Sequence, residues 1–238
     1  MSMQIASASH TGNLRKRNED RLFVSSLADG GLLLAVADGM GGAPQGEKAA
    51  SIAVECLHEM QNLAAPPQQK LKALILKAHD AILRYGRSHS GNDGMGTTMT
   101  LCLVHNGVVN WAHVGDSRLY HYHNNKLHLL TTDHRFVESM VRDGDMTIDE
   151  AKRHPFRNML DQSLGCPEIN PDYGAMSLDQ GDMLLLCTDG LYDEVAFSTI
   201  EKILFGESDL QVKVNKLLQS ALNCGGKDNR TIIVASNA

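Results

Sequence analysis

The sequence predicts a layered α+β fold in which antiparallel strands form the core. Three observations lead to this prediction: short apolar strands near the start of the chain, two helical stretches after them, and a return to strands after Gly94. This order is typical of mixed folds whose helices pack on sheets. The 238 residues are 42% hydrophobic and 21% charged, which suits one domain over residues 1–238 with a sizeable core.

The N-terminal half begins with a predicted β-hairpin. The stretch "DRLFVSSLADGGLLLAVADG" has two apolar runs separated by Asp29-Gly30-Gly31, a strong tight-turn signal. Small and apolar residues then recur at helical spacing and predict a helix over 46–63. Pro66-Pro67 ends this helix, and a second helical stretch covers 69–87. The hairpin therefore delivers Asp38 to the end of a strand.

Strand patterns return in the second half. The stretches "GTTMTLCLV", "VVNWAHVGDSRLYHY" and "KLHLLT" are separated by turn residues at Asn106-Gly107 and Asn124-Asn125, and they predict a meander of at least three strands. The more polar segment 134–165 has no strand pattern and is expected to form a flap over the sheet. A strand in "DMLLLCTDG", helices over 198–222 and a last strand in "RTIIVAS" follow.

Composition excludes several classes of function. The net charge is −6 and Lys and Arg are not clustered, so neither nucleic acid nor a membrane surface is an expected partner. The five cysteines form no C-x-x-C pair, which indicates neither a disulfide framework nor a cysteine zinc site. No signal peptide and no apolar run of about 18 residues is present, so we expect a soluble, cytoplasmic protein without membrane insertion.

Acidic residues recur at the ends of predicted strands. "LLLAVADGMGG" carries an apolar strand into Asp38, and "MLLLCTDGLYD" does the same for Asp189. Asp228 directly precedes the last strand, and Glu19 and Asp20 precede the first hairpin strand. Mg²⁺ and Mn²⁺ prefer carboxylate and carbonyl oxygen, and strand ends bring such groups together.

Each of these sites taken alone is a common turn signal, because Asp-Gly and Asp-Asn tolerate turn geometry. Turns leave two features unexplained. A hairpin needs one or two glycines, whereas "GMGG" follows Asp38. Arg15 lies close to Glu19 and Asp20, and arginine is suited to binding phosphate through two hydrogen bonds.

Seven ordered motifs carry a family resemblance: "GNLRKRNED", "VADGMGG", "GTTMT", "AHVGDSRLY", "TTDH", "LLCTDGLYDEV" and "GGKDNRTIIV". In order and spacing they resemble the metal-dependent protein phosphatases of type 2C, in their compact bacterial form, from about residue 5 to 236. The resemblance implies a central antiparallel β-sandwich flanked by helices. It also implies hydrolysis of phosphoserine and phosphothreonine in proteins by a metal-activated water, without a phosphoenzyme.

The resemblance further implies a ligand set for two Mn²⁺ or Mg²⁺ ions. Asp38 would bridge the ions, Gly39 would bind one through its carbonyl, and Asp189 and Asp228 would hold the other. The remaining implied roles are those of Glu19 and Asp20, through metal-bound waters, of Arg15, on the substrate phosphate, and of Asp133, with Asp189 at a third metal site.

Two features of the sequence depart from simple expectation. Many eukaryotic relatives place a histidine two residues after the bridging aspartate, whereas Met40 here has no transferable proton, so the proton donor is left unassigned. Five histidines crowd the predicted meander: His105, His113, His121, His123 and His128. Neighbouring residues on a strand alternate faces, so we expect a solvated sheet face there and no zinc site.

Two other functions remain open on the residues. The fold could serve as a non-catalytic module that binds phosphoproteins, although every expected carboxylate is present. "GMGG" could bind a nucleotide, although no Lys-Ser/Thr follows it. The partners implied by the family are phosphorylated proteins and a cognate Ser/Thr kinase, in some species one that controls a secretion apparatus, and we expect a monomer.

Overall fold

The computed structural model describes residues 3–42, 44–62, 64–89 and 94–237. Over these residues, two five-stranded antiparallel sheets pack face to face. The first sheet has the spatial order β1 (Met3–His10), β12 (Arg230–Asn237), β11 (Met183–Cys187), β8 (Arg118–His123), β9 (Lys126–Leu129). The second has the order β10 (Asp172–Ser177), β7 (Val108–Val114), β6 (Met99–His105), β3 (Leu32–Ala37), β2 (Arg21–Ser26). A short pair, β4 (Gly39–Met40) and β5 (Gly96–Thr97), lies beside them.

Helices cover both outer faces of the sandwich, and the third and fourth helices of the chain lie in the flap segment. The helices are α1 (Gln45–Cys56), α2 (Pro67–Ser88), α3 (Phe136–Asp143), α4 (Ile148–Ala151), α5 (Asp189–Tyr192), α6 (Phe197–Phe205) and α7 (Leu210–Asn223), with a 3₁₀ helix over Leu57–Asn62. The predicted helical stretches are confirmed, although Leu63, the expected end of the first, lies outside the described residues. Among the helices that the structure describes, none has the length and hydropathy of a membrane span.

Three apolar clusters fill the spaces between the layers. One packs α1 and α2 on the second sheet, one packs α6 and α7 on the first, and one lies between the sheets. Strand β3 shows the consequence: Leu33 and Ala35 face the helices, whereas Leu32, Leu34 and Val36 face the other sheet. Because both faces are covered, the strand is apolar throughout instead of alternating. The predicted α+β sandwich flanked by helices is therefore observed.

The hairpin over β2 and β3 is confirmed, but the three-stranded meander is wrong. Strand β7 pairs with β6 in the second sheet, whereas β8 pairs with β9 in the first. The chain changes sheets at residues 115–117, where Gly115 has φ +105 and a Cβ would overlap the Thr98 side chain. Strands β1 and β10 were not predicted, because their exposed and half-buried residues give no clear apolar pattern.

The segment 134–165 leaves the sheets and contains α3 and α4. Helix α3 ends at Gly144 in the left-handed conformation, and α4 begins with a capping box between Thr147 and Glu150. Isolated bridges tie Arg135 to Leu160 and Thr97 to Leu164 at its two ends. These features agree with a flap, whose role as a separate subdomain stays a prediction.

Candidate metal centre

Several strand ends meet at one end of the sandwich. The antiparallel register places Arg21 opposite Ala37 and Cys187 opposite Arg118, so the start of one strand lies beside the end of the next. Asp38 and Asp189 follow β3 and β11, while Asp20 and Asp228 precede β2 and β12. The topology thus brings together the acidic residues that the sequence places far apart.

The backbone around Asp38 is fixed by two threonines. The Asp38 amide donates to Thr98 Oγ1 at 2.9 Å, while Thr98 N and Thr97 Oγ1 donate to the Asp38 carbonyl at 2.9 and 2.8 Å. These hydrogen bonds hold the main chain of Asp38 against Thr97 of β5 and the adjacent Thr98, and so fix the direction of the Asp38 carboxylate. These threonines explain the "GTTMT" motif.

Each glycine after Asp38 has a separate structural reason. A Cβ on Gly39 would overlap the carbonyl of Gly46, and one on Gly46 would approach Glu19 Oε2 within 2.5 Å. Gly41 and Gly42 adopt φ of +110 and +80, which L-residues rarely reach, and Gly42 O accepts from Gln45 N at the start of α1. "GMGG" is therefore a close backbone crossing followed by a turn into α1.

Asp20 is buried and Asp189 is half-buried, and a hydrogen bond links Asp20 to Thr188, the residue before Asp189. Thr188 Oγ1 donates to Asp20 Oδ2 at 2.8 Å, and the Thr231 amide donates to Thr188 Oγ1 at 2.9 Å. Gly190 lies where a Cβ would overlap the Asn229 carbonyl, so the glycine lets α5 approach the start of β12. The Asp-Gly pairs at Asp38 and Asp189 thus serve tight packing of the site and not hairpin turns.

The clustered carboxylates raise one another's pKa values. Burial raises the pKa of Asp38 well above its usual range, and the charges of Asp20 and Asp189 add to it. Burial and the charges of Asp116 and Asp228 do the same for Asp189. Burial raises the pKa of Asp20 to about 7 against the hydroxyls of Thr231 and Thr188. Without cations, this cluster resists full ionisation.

The residues present fit divalent cations. Two buried oxygens, Asp20 Oδ1 and Asp189 Oδ1, accept no hydrogen bond from any described residue. A buried carboxylate oxygen without a hydrogen bond requires another partner. A hard divalent cation can be that partner, because such cations bind oxygen ligands and every donor in this cluster is an oxygen. The unpaired oxygens and the shifted pKa values therefore agree on a Mg²⁺- or Mn²⁺-type site.

Arg15 lies at the rim of the cluster. Its Nη2 donates to Asp228 Oδ2 at 2.7 Å, and its side chain is 55% exposed. The hydrogen bond to Asp228 raises the pKa of Arg15, and the charges of Glu19 and Asp38 also contribute. The guanidinium is therefore close to the carboxylates and still open to solvent.

Asn229 is a residue of the site that the sequence analysis did not assign a role. Its Oδ1 accepts from Glu19 N at 2.8 Å, and its Nδ2 donates to the carbonyls of Thr11 and Arg17 at 2.7 and 2.8 Å. The 5%-exposed side chain thereby fastens the loop that carries Arg15 to the start of β12. Its position beside Asp228 in "GGKDNR" was the available signal.

Asp133 lies outside the inner cluster. Both of its oxygens accept from Arg118, Nε to Oδ1 at 2.8 Å and Nη2 to Oδ2 at 2.7 Å. Asp116, at the crossing between β7 and β8, contributes instead to the raised pKa values of Asp38 and Asp189. Asp116 is 6% exposed and pairs with Arg135 at 2.9 Å. The change of sheets at Asp116, which the meander model missed, puts this carboxylate at the site.

A cleft of about 520 Å³ lies between the flap and the carboxylates. Val137, Ile148 and Arg157 line the flap side, and Asp189 and Asp228 line the opposite side. The cleft therefore borders the acidic cluster on one side and mixed apolar and basic groups on the other.

A two-sheet sandwich with an oxygen-only carboxylate centre and an arginine at its rim defines a metal-dependent enzyme class. The chain belongs to the protein phosphatase 2C family, whose model matches residues 8–227. This is the family that the ordered sequence motifs indicated.

Individual relatives agree with this assignment. The protein phosphatase PhpP of Streptococcus pneumoniae is 32% identical over 239 residues, covering 98% of this chain and 97% of that protein. The serine/threonine protein phosphatase PstP of Mycobacterium tuberculosis is 33% identical over 98% of this chain but only 45% of its own length, so the chain spans about half of that relative. A crystal structure of the PstP catalytic domain in complex with two manganese ions is 31% identical, with a TM-score of 0.87 over 98% of this chain and 97% of that one.

Proposed function

We propose that the chain hydrolyses phosphoserine and phosphothreonine in proteins by direct attack of water, without a covalent phosphoenzyme. The observation that carries this proposal is the cluster of buried and half-buried carboxylates in which the buried atoms Asp20 Oδ1 and Asp189 Oδ1 lack a hydrogen-bond partner among the described residues. The relative named serine/threonine protein phosphatase PstP supports the substrate class.

Asp38, the Gly39 carbonyl, Asp189 and Asp228 would hold the two core ions, and Glu19 and Asp20 extend the oxygen set around them. When bound, Mn²⁺ or Mg²⁺ supplies Lewis acidity that lowers the pKa of water and offsets charge on the phosphoryl oxygens. The chain's own contribution is a rigid backbone: the threonines beside Asp38 and Asp20 fix their directions before the substrate arrives.

Arg15 binds the substrate phosphate in this proposal. Its 55% exposed side chain can turn from Asp228 to a phosphate oxygen, and a guanidinium offers paired donors that match phosphate geometry. Asn229 keeps the Arg15 loop in place and acts as a positioning residue.

For a third ion we propose Asp116 as the partner of Asp189, in place of Asp133. Among the charges acting on the pKa of Asp189, that of Asp116 is the largest. Asp133, with both oxygens held by Arg118, instead orients that arginine.

The partners that follow are phosphorylated proteins, with a cognate Ser/Thr kinase as the enzyme whose products this chain would remove. We propose a monomer in the cytoplasm. The five cysteines support a reducing compartment, since all of them are free thiols.

The test uses purified protein and a phosphothreonine peptide, with release of inorganic phosphate as the readout. Excess EDTA should abolish release, and Mn²⁺ or Mg²⁺ should restore it, while Asp38→Asn serves as the matched inactive variant. Full turnover in excess EDTA would refute the two-metal proposal. Tight binding of the phosphopeptide without phosphate release in Mn²⁺ would instead favour the non-catalytic module.

A further inference from the structure

Two of the five histidines for which we expect no zinc site lie beside an aspartate, at the end of the first sheet opposite the metal centre. His121 and His123 lie two residues apart on β8 and so share one face, and their rings stack with centroids 5.3 Å apart. Asp182, directly before β11, lies between them and both rings bind its carboxylate. The expected solvated sheet face is therefore wrong for His121, whose side chain is only 13% exposed.

The possible ligand atoms of the three side chains lie close together. His121 Nε2 lies 2.8 Å from Asp182 Oδ2, and His123 Nδ1 lies 2.7 Å from Asp182 Oδ1. All three ligand atoms lie within 4.8 Å of one another. In a tetrahedral site with bonds of about 2.0–2.1 Å the ligand atoms are separated by about 3.3–3.4 Å, so the hydrogen-bonded pairs would move apart by roughly half an ångström to admit a cation.

The backbone holds Asp182 in this position. Asp182 Oδ2 also accepts from the Asp179 amide at 2.9 Å, and the Asp182 carbonyl accepts from Asn237 N at 3.0 Å. The carboxylate is thus fixed by the turn that precedes β11 and by the end of β12. Hydrogen bonds of this kind hold a ligand in position before a metal binds.

The charge of Asp182 lacks a permanent cation. Its side chain is 6% exposed, and its ion-pair partners among the described residues are only the two histidines. Because histidine is a cation only when protonated, the Asp182 carboxylate has hydrogen bonds but no positive partner whenever both imidazoles are neutral. Buried charges of this kind are normally paired or bound to metal.

We propose that His121 Nε2, His123 Nδ1 and Asp182 form a second metal site that binds Zn²⁺ or a similar borderline divalent cation. Two imidazoles and one carboxylate suit zinc, whereas the oxygen-only phosphatase centre suits Mg²⁺ and Mn²⁺. The ion links β8 to the start of β11. A fourth coordination position is open on the side of His123, whose side chain is 35% exposed.

Asn124 contacts the proposed ligand His123 and supports it by a hydrogen bond. When His123 Nδ1 binds metal, its proton must be on Nε2, and that atom lies 2.7 Å from the Asn124 side-chain amide. Rotation of the amide presents its oxygen to this N–H and fixes the tautomer.

The new site is separate from the phosphatase centre. Asp182 and Asp189 lie at opposite ends of β11, about 20 Å apart at the ordinary rise of roughly 3.3 Å per residue. Its function is therefore structural, and its loss should leave turnover in Mn²⁺ unchanged.

The test titrates Zn²⁺ into untagged protein that is already saturated with Mn²⁺, followed by calorimetry and X-ray absorption at the zinc edge. The expected spectrum shows imidazole scattering from two histidines, which the oxygen-only centre cannot give. His123→Ala and Asp182→Asn each alter a proposed ligand. They should weaken Zn²⁺ binding by at least roughly 10–100-fold, which is the cost of removing a group that only hydrogen-bonds to a ligand. His105→Ala, on the other sheet, is the matched control and should bind as the wild type does.

Folding of each variant is checked by far-ultraviolet circular dichroism and a urea unfolding curve. If Asp182→Asn fails to fold, the half-exposed His123→Ala still decides the question. Zinc scattering without imidazole, or equal Zn²⁺ affinity in His123→Ala and the wild type, overturns the proposal. Loss of Zn²⁺ binding in Asp38→Asn but not in His123→Ala would place the zinc at the phosphatase centre and overturn it equally. None of these results bears on whether the chain is a phosphatase.

Discussion

Arg118 and Asp133 form a bidentate ion pair, with Nε–Oδ1 at 2.8 Å and Nη2–Oδ2 at 2.7 Å. The Arg118 guanidinium also stacks 3.6 Å from the centre of the Tyr192 ring. Asp133 is 4% exposed and Arg118 is 23% exposed at the side chain, so the pair is largely shielded from water. It links the start of β8 to the loop that precedes the flap.

Asp133→Ala should therefore lower stability more than metal binding. The substitution leaves a mostly buried guanidinium without its partner, and we expect the low end of the roughly 3–5 kcal/mol that such a break costs. Urea unfolding measures the loss, and calorimetry measures Mn²⁺ stoichiometry. Asp149→Ala removes the exposed pair with Lys152 and is the control. A variant of unchanged stability that binds fewer ions would restore Asp133 as a metal ligand.

Asp38→Asn should abolish binding of the core ions and turnover on both aryl phosphate and phosphothreonine peptide. The substitution removes a charge that two dications are proposed to share, yet it also reduces repulsion among the buried carboxylates, so the metal-free protein should remain folded. Calorimetric stoichiometry and circular dichroism test these two statements. The exposed flap residue Asp145, changed to Asn, provides the control. Normal Mn²⁺ stoichiometry in Asp38→Asn would contradict the bridging role.

Arg15→Ala should lower kcat/KM for the phosphopeptide while the Mn²⁺ affinity stays close to that of the wild type. Loss of hydrogen bonds to a charged phosphate costs about 1.5–3 kcal/mol, or roughly 10–100-fold in kcat/KM. The neighbouring Arg17→Ala controls for the loss of one positive charge. A loss of metal binding that equals the loss of kcat/KM would show that Arg15 acts through Asp228 and not on the substrate.

Stability should fall with acid because of His113. Burial lowers the pKa of His113 from 6.5 to about 4; nearby His134 adds to this effect, while Asp133 and Asp172 oppose it. Below pH 6.5 the unfolded chain gains a proton that the folded chain resists, so this stability is complete above pH 6.5 and is lost as the pH falls to about 4. Unfolding free energies at pH 7.5 and 5 should differ less in His113→Gln than in the wild type. An unchanged difference in that variant, with His105→Gln as the control, would contradict the assignment.

Much of the fold followed from local patterns. The turn at Asp29-Gly30-Gly31 and the apolar runs beside it specify the hairpin over β2 and β3, because turn chemistry and strand burial depend on neighbouring residues. The same holds for α1 and α2. The chain's passage between sheets at Gly115 was not predictable, since either sheet could accept the apolar strand that follows.

The sequence by itself determined the kind of chemistry. Carboxylates at strand ends, with glycines where backbones cross, indicated an oxygen-ligand metal centre and gave Asp38, Asp189 and Asp228 as its candidate core. Ordered motifs were sufficient for the family, because they record residue type and spacing, which do not depend on knowing the fold.

Only the tertiary structure decided which polar groups meet. The sequence does not show which of Asp116 and Asp133 acts on the metal centre. In the structure Arg118 binds the Asp133 carboxylate, whereas the charge of Asp116, at the crossing between the sheets, acts on Asp189. His121 and His123 acquire Asp182 because β8 and β11 pair, although 59 residues or more separate them along the chain. Such encounters depend on which strands pair, and the pairing of β8 with β11 joins segments that are far apart along the chain.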